Sequence, residues 1–95
     1  MKQCLDKEQT LQLIELGFPK PRPDGFYLYG NYSIGELIQF LPRWIKPRGG
    51  LEIVAESDGW LVMHGHDPFD LYCKKTELID ALFEYCVKLK AEGRI

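Results

Sequence analysis

The spacing of apolar residues predicts a C-terminal helix over residues 76–92. An apolar stripe recurs there at helical intervals, with acidic residues in the first turn and lysines in the last, the arrangement that the helix dipole favours. Thr76 is the predicted N-cap, and Gly93 follows as the predicted left-handed stop. Such a stripe needs a packing partner, so we expect this helix to close a hydrophobic core. Its main members are Leu78, Leu82, Tyr85 and Leu89.

A second, shorter helix is predicted near the start of the chain, over residues 7–16. Asp6 and Gln9 match a capping box, in which each side chain satisfies a free backbone N–H of the first turn. Leu11 and Ile14 are expected on the buried face, with Leu13 as a further member. A glycine and then three prolines follow, so the helix cannot continue.

A third helix is predicted over residues 33–41. Ser33 and Glu36 form another capping box, and Tyr32 with Leu37 has the spacing of a hydrophobic staple. A proline directly after the segment ends the helix, because proline disfavours helical backbone in the residue before it.

The pattern changes to alternation over residues 51–57 and 60–66, which predicts two β-strands. The Asp-Gly dipeptide at residues 58–59 is typical of a two-residue hairpin turn. Such a turn sets Ala55 opposite Val62 and fixes which side chains share a face.

Residues 69–73 alternate as a further strand, and residues 26–30 have the aromatic content of a short one. The chain therefore predicts an α+β fold in the order α-α-β-β-β-α. A three-stranded antiparallel meander packs against helices, with room for a fourth strand at residues 26–30. The length of 95 residues suits a single globular domain over residues 1–95.

Composition narrows the class of protein. A net charge of −2 gives no overall attraction to phosphate, so nucleic-acid binding would need a local basic patch. Three cysteines without CxxC spacing predict reduced thiols and a cytoplasmic location. No apolar run approaches the roughly 20 residues of a membrane span, so we expect no membrane association.

The second face of the predicted sheet carries Val54, Leu61 and Met63 among acidic residues. An apolar group in that position favours a protein contact. We therefore expect a small non-catalytic interaction or accessory module, which binds an unidentified protein partner or self-associates at this face or at an edge strand.

A nucleic-acid interface is the alternative hypothesis, located in the basic loop 42–50. Arg43, Lys46 and Arg48 surround Trp44, so cations would contact phosphates while the indole stacks on a base. The acidic character of the whole chain counts against this alternative.

A metal-dependent activity is the third hypothesis. His64 and His66 are spaced to meet one metal ion from the same strand face, and Asp67 would supply a third ligand. The spacing matches no established metal motif, and the chain lacks the sequence motifs of hydrolases and nucleotide-binding enzymes. We therefore predict no enzyme activity, no catalytic residue and no cofactor.

Four segments together carry a resemblance to a group of small uncharacterised bacterial and phage-associated proteins. They are TLQLIELGF, YSIGELIQFLP, GWLVMH and ELIDALFEYCVKLKAEGRI. The resemblance implies a mobile-element or accessory context. It supplies no catalytic residue, since the shared motifs are caps, core stripes and a turn.

Overall fold

The computed structural model describes residues 2–21, 30–65 and 71–95. In these ranges the fold is α+β, which confirms the predicted class, and a four-stranded antiparallel meander has the spatial order β1-β2-β3-β4. The strand predicted at residues 26–30 lies outside the described residues except for Gly30. The elements are α1 (Lys7–Glu15), α2 (Ile34–Phe40), β1 (Trp44–Ile45), β2 (Gly49–Glu56), β3 (Gly59–His64), β4 (Tyr72–Lys75) and α3 (Leu78–Ala91).

The start of α1 is confirmed, because Asp6 and Gln9 form the predicted capping box. The buried face agrees with the prediction in part, because Ile14 packs against the core as expected. Leu13 and Thr10 are buried, whereas Leu11 is 48% exposed. Residues 10 and 13 share one side of the helix at a spacing of three, and Leu11 is rotated about 100° away from Thr10.

Helix α2 has the predicted capping box between Ser33 and Glu36. Tyr32 and Leu37 are both fully buried, as a hydrophobic staple requires. The C-cap residue Leu41 has extended backbone, as expected before a proline.

The hairpin of β2 and β3 exists, but its register is two residues from the prediction. Ala55 pairs with Trp60 and not with Val62. The loop consists of Ser57 and Asp58, and no non-glycine residue among those described has positive φ, so a type I′ turn is excluded there. Because the shift is an even number of residues, each side chain still points to its predicted face.

Strand β1 is an element that sequence reasoning missed, since residues 44–45 were predicted to lie in a loop. It pairs with the first two residues of β2, so the loop between them shrinks to residues 46–48. A strand of two residues has too little alternation to be recognised in a sequence.

Helix α3 closes the core, as predicted, by packing against β3, β4 and α2. Its N-cap is Glu77 and not Thr76. The Glu77 carboxylate makes no capping bond and instead accepts the backbone N–H of Lys2 at 3.2 Å. The predicted stop is confirmed, because Gly93 has φ 72° and the amide of Arg94 donates to the Leu89 carbonyl at 2.9 Å.

Candidate interaction surface

The two faces of the sheet have different surroundings. Val62 of β3 belongs to the buried core that the helices build, and Ile53, Trp60 and Cys73 pack against that core. We call this side the inner face. Alternation places the neighbouring residues of each strand on the opposite side, which we call the outer face.

The outer face is organised in two rows that run across the strands. Strand pairing places Glu52, Met63 and Tyr72 in one row. The second row contains Val54, Leu61 and Lys74.

The predicted contact residues Val54, Leu61 and Met63 do share this face, but they differ in exposure. Leu61 and Met63, in an inner strand of the sheet, are 9% and 7% exposed. Neither belongs to the main core cluster. The expectation that these three residues form an exposed apolar patch is therefore corrected, since only Val54, at 36%, retains substantial exposure.

Two aromatic residues outside the predicted contact set complete the exposed apolar surface of the outer face. Tyr72 is 40% exposed and Trp44 is 64% exposed. Trp44 pairs with Gly50, and a Cβ on that glycine would lie 3.5 Å from the indole ring. Since Gly50 has the same orientation as Val54, four residues along β2, Trp44 lies on the outer face, at its β1 edge. We refer to Trp44, Val54 and Tyr72 as the exposed apolar group.

An open cleft of about 370 Å³ lies beside Trp44. Glycines form much of its lining. One of them, Gly65, lies so close to the backbone of Arg48 that a Cβ at this position would collide with the Arg48 carbonyl oxygen. Because these glycines have no side chains, little covers the indole from this side, and the ring is accessible. The cleft is lined by Trp44, Pro47, Arg48, Gly49, Gly50, Glu52 and Gly65.

The two turns at the ends of β2 carry opposite charge. Lys46 and Arg48 lie in the turn before β2, and Lys46 is exposed. Arg43, just before β1, is also exposed. Neither Arg43 nor Lys46 makes an ion pair with the described residues. This end of the sheet therefore presents positive charge to solvent.

The turn after β2 is acidic. Lys74 Nζ lies 2.9 Å from Asp58 Oδ1 and 3.2 Å from Glu56 Oε1, so one lysine serves two carboxylates. The hydrogen bond from Lys74 lowers the pKa of Asp58, and the hydrogen bonds to Asp58 and Glu56 raise the pKa of Lys74. Both shifts favour the charged forms of Asp58 and Lys74. With two acidic side chains to one lysine, the turn has a net negative formal charge.

His64 does not have the environment of a metal ligand. Its side chain is fully buried on the inner face, where Nε2 lies 2.7 Å from the Pro42 carbonyl oxygen and Nδ1 lies 2.5 Å from Tyr85 Oη. Tyr85 Oη also donates to the Leu71 carbonyl at 3.2 Å. Both ring nitrogens are thus occupied, and metal binding would break these contacts.

The other two predicted metal ligands, His66 and Asp67, lie outside the described residues. Within the ranges that the structure covers, no three histidine, cysteine or acidic side chains are grouped closely enough to hold a metal ion.

The two thiols next to the inner face are poor nucleophiles. Burial raises the pKa of the Cys86 thiol to about 12, with the nearby Cys73 as a smaller cause. Burial also raises the pKa of Cys73. Both cysteines are free and protonated at neutral pH, and thiols in this state are small apolar groups that fill space.

No protein-family model, no curated protein and no solved structure matches this chain. The resemblance to small bacterial and phage-associated proteins therefore stays a prediction. None of the described helices is long and apolar enough to span a bilayer.

Proposed function

We propose that this chain is a non-catalytic interaction module that binds a protein surface through the outer face of its sheet. The observation that carries the proposal is the exposed apolar group of Trp44, Val54 and Tyr72, which lies on the side of the sheet away from the helical core. Aromatic side chains at a surface are typical of protein contacts, since each buries a large apolar area when a partner docks.

The surrounding residues support a binding role over a catalytic one. The buried histidine has both ring nitrogens engaged, and the two thiols near the core are kept protonated. The outer face, in contrast, combines a buried central strand with exposed side chains at its flanks. That arrangement gives a firm surface for docking. Three free cysteines favour a cytoplasmic setting for the module.

Site-specific photo-crosslinking in cells that express the chain tests this proposal. A benzophenone side chain replaces Tyr72 on the outer face and, as the matched control, Leu11, which is 48% exposed on α1. We expect a discrete covalent adduct from position 72 and a much weaker one from position 11. Equal labelling at the two positions, or no adduct at position 72, would refute an interaction surface on the outer face.

Nucleic-acid binding is the second candidate function, and the position of Trp44 favours it. The indole is 64% exposed, its open side faces a cleft with a glycine floor, and Arg43 and Lys46 are exposed nearby. An accessible ring among cations is the arrangement on which single-stranded bases stack.

Anisotropy titrations with a labelled 15-nucleotide single strand, at low and physiological salt, test the second candidate. Trp44→Ala should weaken binding about tenfold, the order expected for loss of one stacked base. Arg43→Ala should weaken binding and reduce the salt dependence. Lys75→Ala is the control, since Lys75 lies on the far edge strand. Equal losses in all three variants, or no binding at low salt, would exclude this function.

A further inference from the structure

We propose that His64 and Tyr85 form a pH-sensitive switch in the core, in which protonation of the buried imidazole turns the Tyr85 hydroxyl from His64 to the carbonyl of Leu71. The inference goes beyond the proposed function, because it concerns the inner face and holds whether or not the outer face binds a partner. It rests on a count of hydrogens and acceptors in the network that the two side chains form with two backbone carbonyls.

The contact with Pro42 fixes which nitrogen of the neutral ring carries the hydrogen. His64 Nε2 lies 2.7 Å from the Pro42 carbonyl oxygen, and a carbonyl oxygen can only accept. Nε2 therefore carries a hydrogen whether the ring is neutral or charged. In the neutral ring Nδ1 has a lone pair and no hydrogen, so it accepts the hydrogen of Tyr85 Oη at 2.5 Å.

The Tyr85 hydroxyl has two acceptors but one hydrogen while His64 is neutral. Oη lies 2.5 Å from His64 Nδ1 and 3.2 Å from the Leu71 carbonyl oxygen, and a single hydrogen cannot serve both acceptors fully. The shorter distance favours the bond to the ring. The bond to Leu71 is therefore the weaker of the two in this charge state.

One proton taken up from solvent supplies the missing hydrogen. It binds to His64 Nδ1, which then donates to Tyr85 Oη, and the Tyr85 hydrogen is released to the Leu71 carbonyl. Burial raises the pKa of Tyr85, so the hydroxyl keeps its own hydrogen throughout. Each of the three hydrogens now has an acceptor of its own. The core can thus hold a charged histidine without losing a hydrogen bond, which offsets part of the cost of burying the charge.

The surroundings of the network favour the neutral ring at neutral pH. Among the described residues, the ionisable groups near the network are Cys73, Cys86, Arg48, Glu92 and Arg94. Both thiols are protonated and carry no charge. The two arginines oppose a further positive charge and the glutamate favours one, so the charges together with burial oppose protonation. We therefore expect the switch to operate on acidification.

The switch acts on the start of β4. The Leu71 carbonyl belongs to the same peptide unit as the amide of Tyr72, which is the first residue of the strand. Protonation of His64 strengthens the bond that holds this peptide unit to α3. A change of charge in the core is thereby transmitted to a residue whose ring is exposed on the outer face.

Nuclear magnetic resonance of the labelled chain, titrated from about pH 8 to about pH 4.5, tests the switch across the range in which histidine changes charge. At high pH we expect the ¹⁵N shifts of His64 to show a hydrogen on Nε2 and none on Nδ1. On acidification Nδ1 should become protonated while the amide spectrum stays that of the folded chain. The ¹³C shift of the Leu71 carbonyl should move downfield with the same midpoint. His66→Gln assigns the ring signals of the two histidines.

Two matched tyrosine variants separate the switch from a general loss of packing. Tyr85→Phe should abolish the response of the Leu71 carbonyl. It should also lower the pH at which His64 takes up its proton by about one unit, because the charged ring loses a stronger bond than the neutral ring does. Tyr32→Phe is the control, since it removes another buried hydroxyl, which donates to the Pro19 carbonyl. It should leave both responses unchanged.

Four outcomes overturn the inference. The first is a hydrogen on Nδ1 of the neutral ring, and the second is unfolding before His64 becomes charged. The third is a Leu71 carbonyl shift that does not follow the charge of His64. The fourth is an equal effect of Tyr85→Phe and Tyr32→Phe. The first three are read from the unaltered chain, so the test stands even if Tyr85→Phe does not fold.

Discussion

The inner and outer faces of the sheet are built from the same alternating strands but have different surroundings. On the inner face, Val62 and His64 are fully buried beneath α3. On the outer face, Leu61 and Met63 are nearly as buried but lie outside the core cluster. The comparison teaches that burial alone does not identify the core, because these two side chains are buried without belonging to the core cluster.

The two faces also differ in how polar groups are satisfied. Inside, His64 and Tyr85 form a closed network with the carbonyls of Pro42 and Leu71. Outside, Lys74 forms ion pairs with Asp58 and Glu56, and all three side chains remain in contact with solvent. A buried network loses much more than an exposed one when a single member is removed. Matched substitutions on the two faces should therefore differ in their effects.

The largest difference is expected for apolar truncation. Leu82→Ala in α3 removes a fully buried side chain from the core and should lower the free energy of unfolding by about 3 kcal/mol. Val54→Ala on the outer face should cost less than about 1 kcal/mol. Urea denaturation of both variants measures the difference. Similar losses would mean that the outer face also acts as a core.

A smaller difference is expected when one hydroxyl is removed from each face. Tyr85→Phe leaves a ring nitrogen of His64 without its partner and should lower stability by about 1–3 kcal/mol. Tyr72→Phe removes the hydroxyl of a 40% exposed side chain and should change stability by no more than about 0.5 kcal/mol. Thermal unfolding at fixed pH compares them, and an equally tolerant Tyr85 would contradict the closed network.

Replacing a glycine by alanine should lower the free energy of unfolding in the sheet and raise it in the helical layer. A Cβ on Gly59, which has φ 156°, would lie 2.5 Å from the Lys75 carbonyl oxygen, so Gly59→Ala should destabilise the hairpin by about 1–3 kcal/mol. Gly35→Ala in α2 meets no atom closer than 4.0 Å and should stabilise the protein by up to about 1 kcal/mol. Chemical denaturation of the pair checks both signs.

Sequence reasoning succeeded where the signal is local. The capping boxes of α1 and α2 and the left-handed stop at Gly93 each depend on residues within one or two turns. The hairpin was found for the same reason. Its predicted register was wrong because Gly59 is the one residue of the turn with positive φ and it lies in β3, so the loop consists of residues 57 and 58.

The candidate surface was harder to predict because it depends on distant contacts. The short strand β1 turns Trp44 onto the outer face, and no pattern within two residues reveals this. His64 was considered as a metal ligand, and the residue that occupies its Nδ1, Tyr85, lies 21 residues further along the chain. Alternation identified the face of Leu61 correctly, but it carries no information on how completely that side chain is buried.

The smallest expected effect concerns a carboxylate in the helical layer. Asp80 accepts hydrogen bonds from Lys2 Nζ and Gln9 Nε2, each at 3.0 Å. Partial burial opposes ionisation of Asp80, but these bonds and the Lys2 charge outweigh it, so the pKa of Asp80 is lowered. A carboxyl group with a lowered folded-state pKa stabilises the fold above its unfolded pKa of about 4, and this contribution disappears as the pH falls through the folded pKa.

Asp80→Asn should therefore cost less than about 1 kcal/mol at neutral pH, since the pair is partly exposed, and should cost progressively less below about pH 4. Urea denaturation across pH 2.5–7 measures the cost at neutral pH and its decrease at low pH. Asp58→Asn is the matched variant in the sheet layer, where a lowered pKa predicts the same direction of pH dependence. A penalty for Asp80→Asn that stays constant with pH would show that the side chain acts through shape and hydrogen bonding alone, because only the charged form of the carboxyl gains from Lys2.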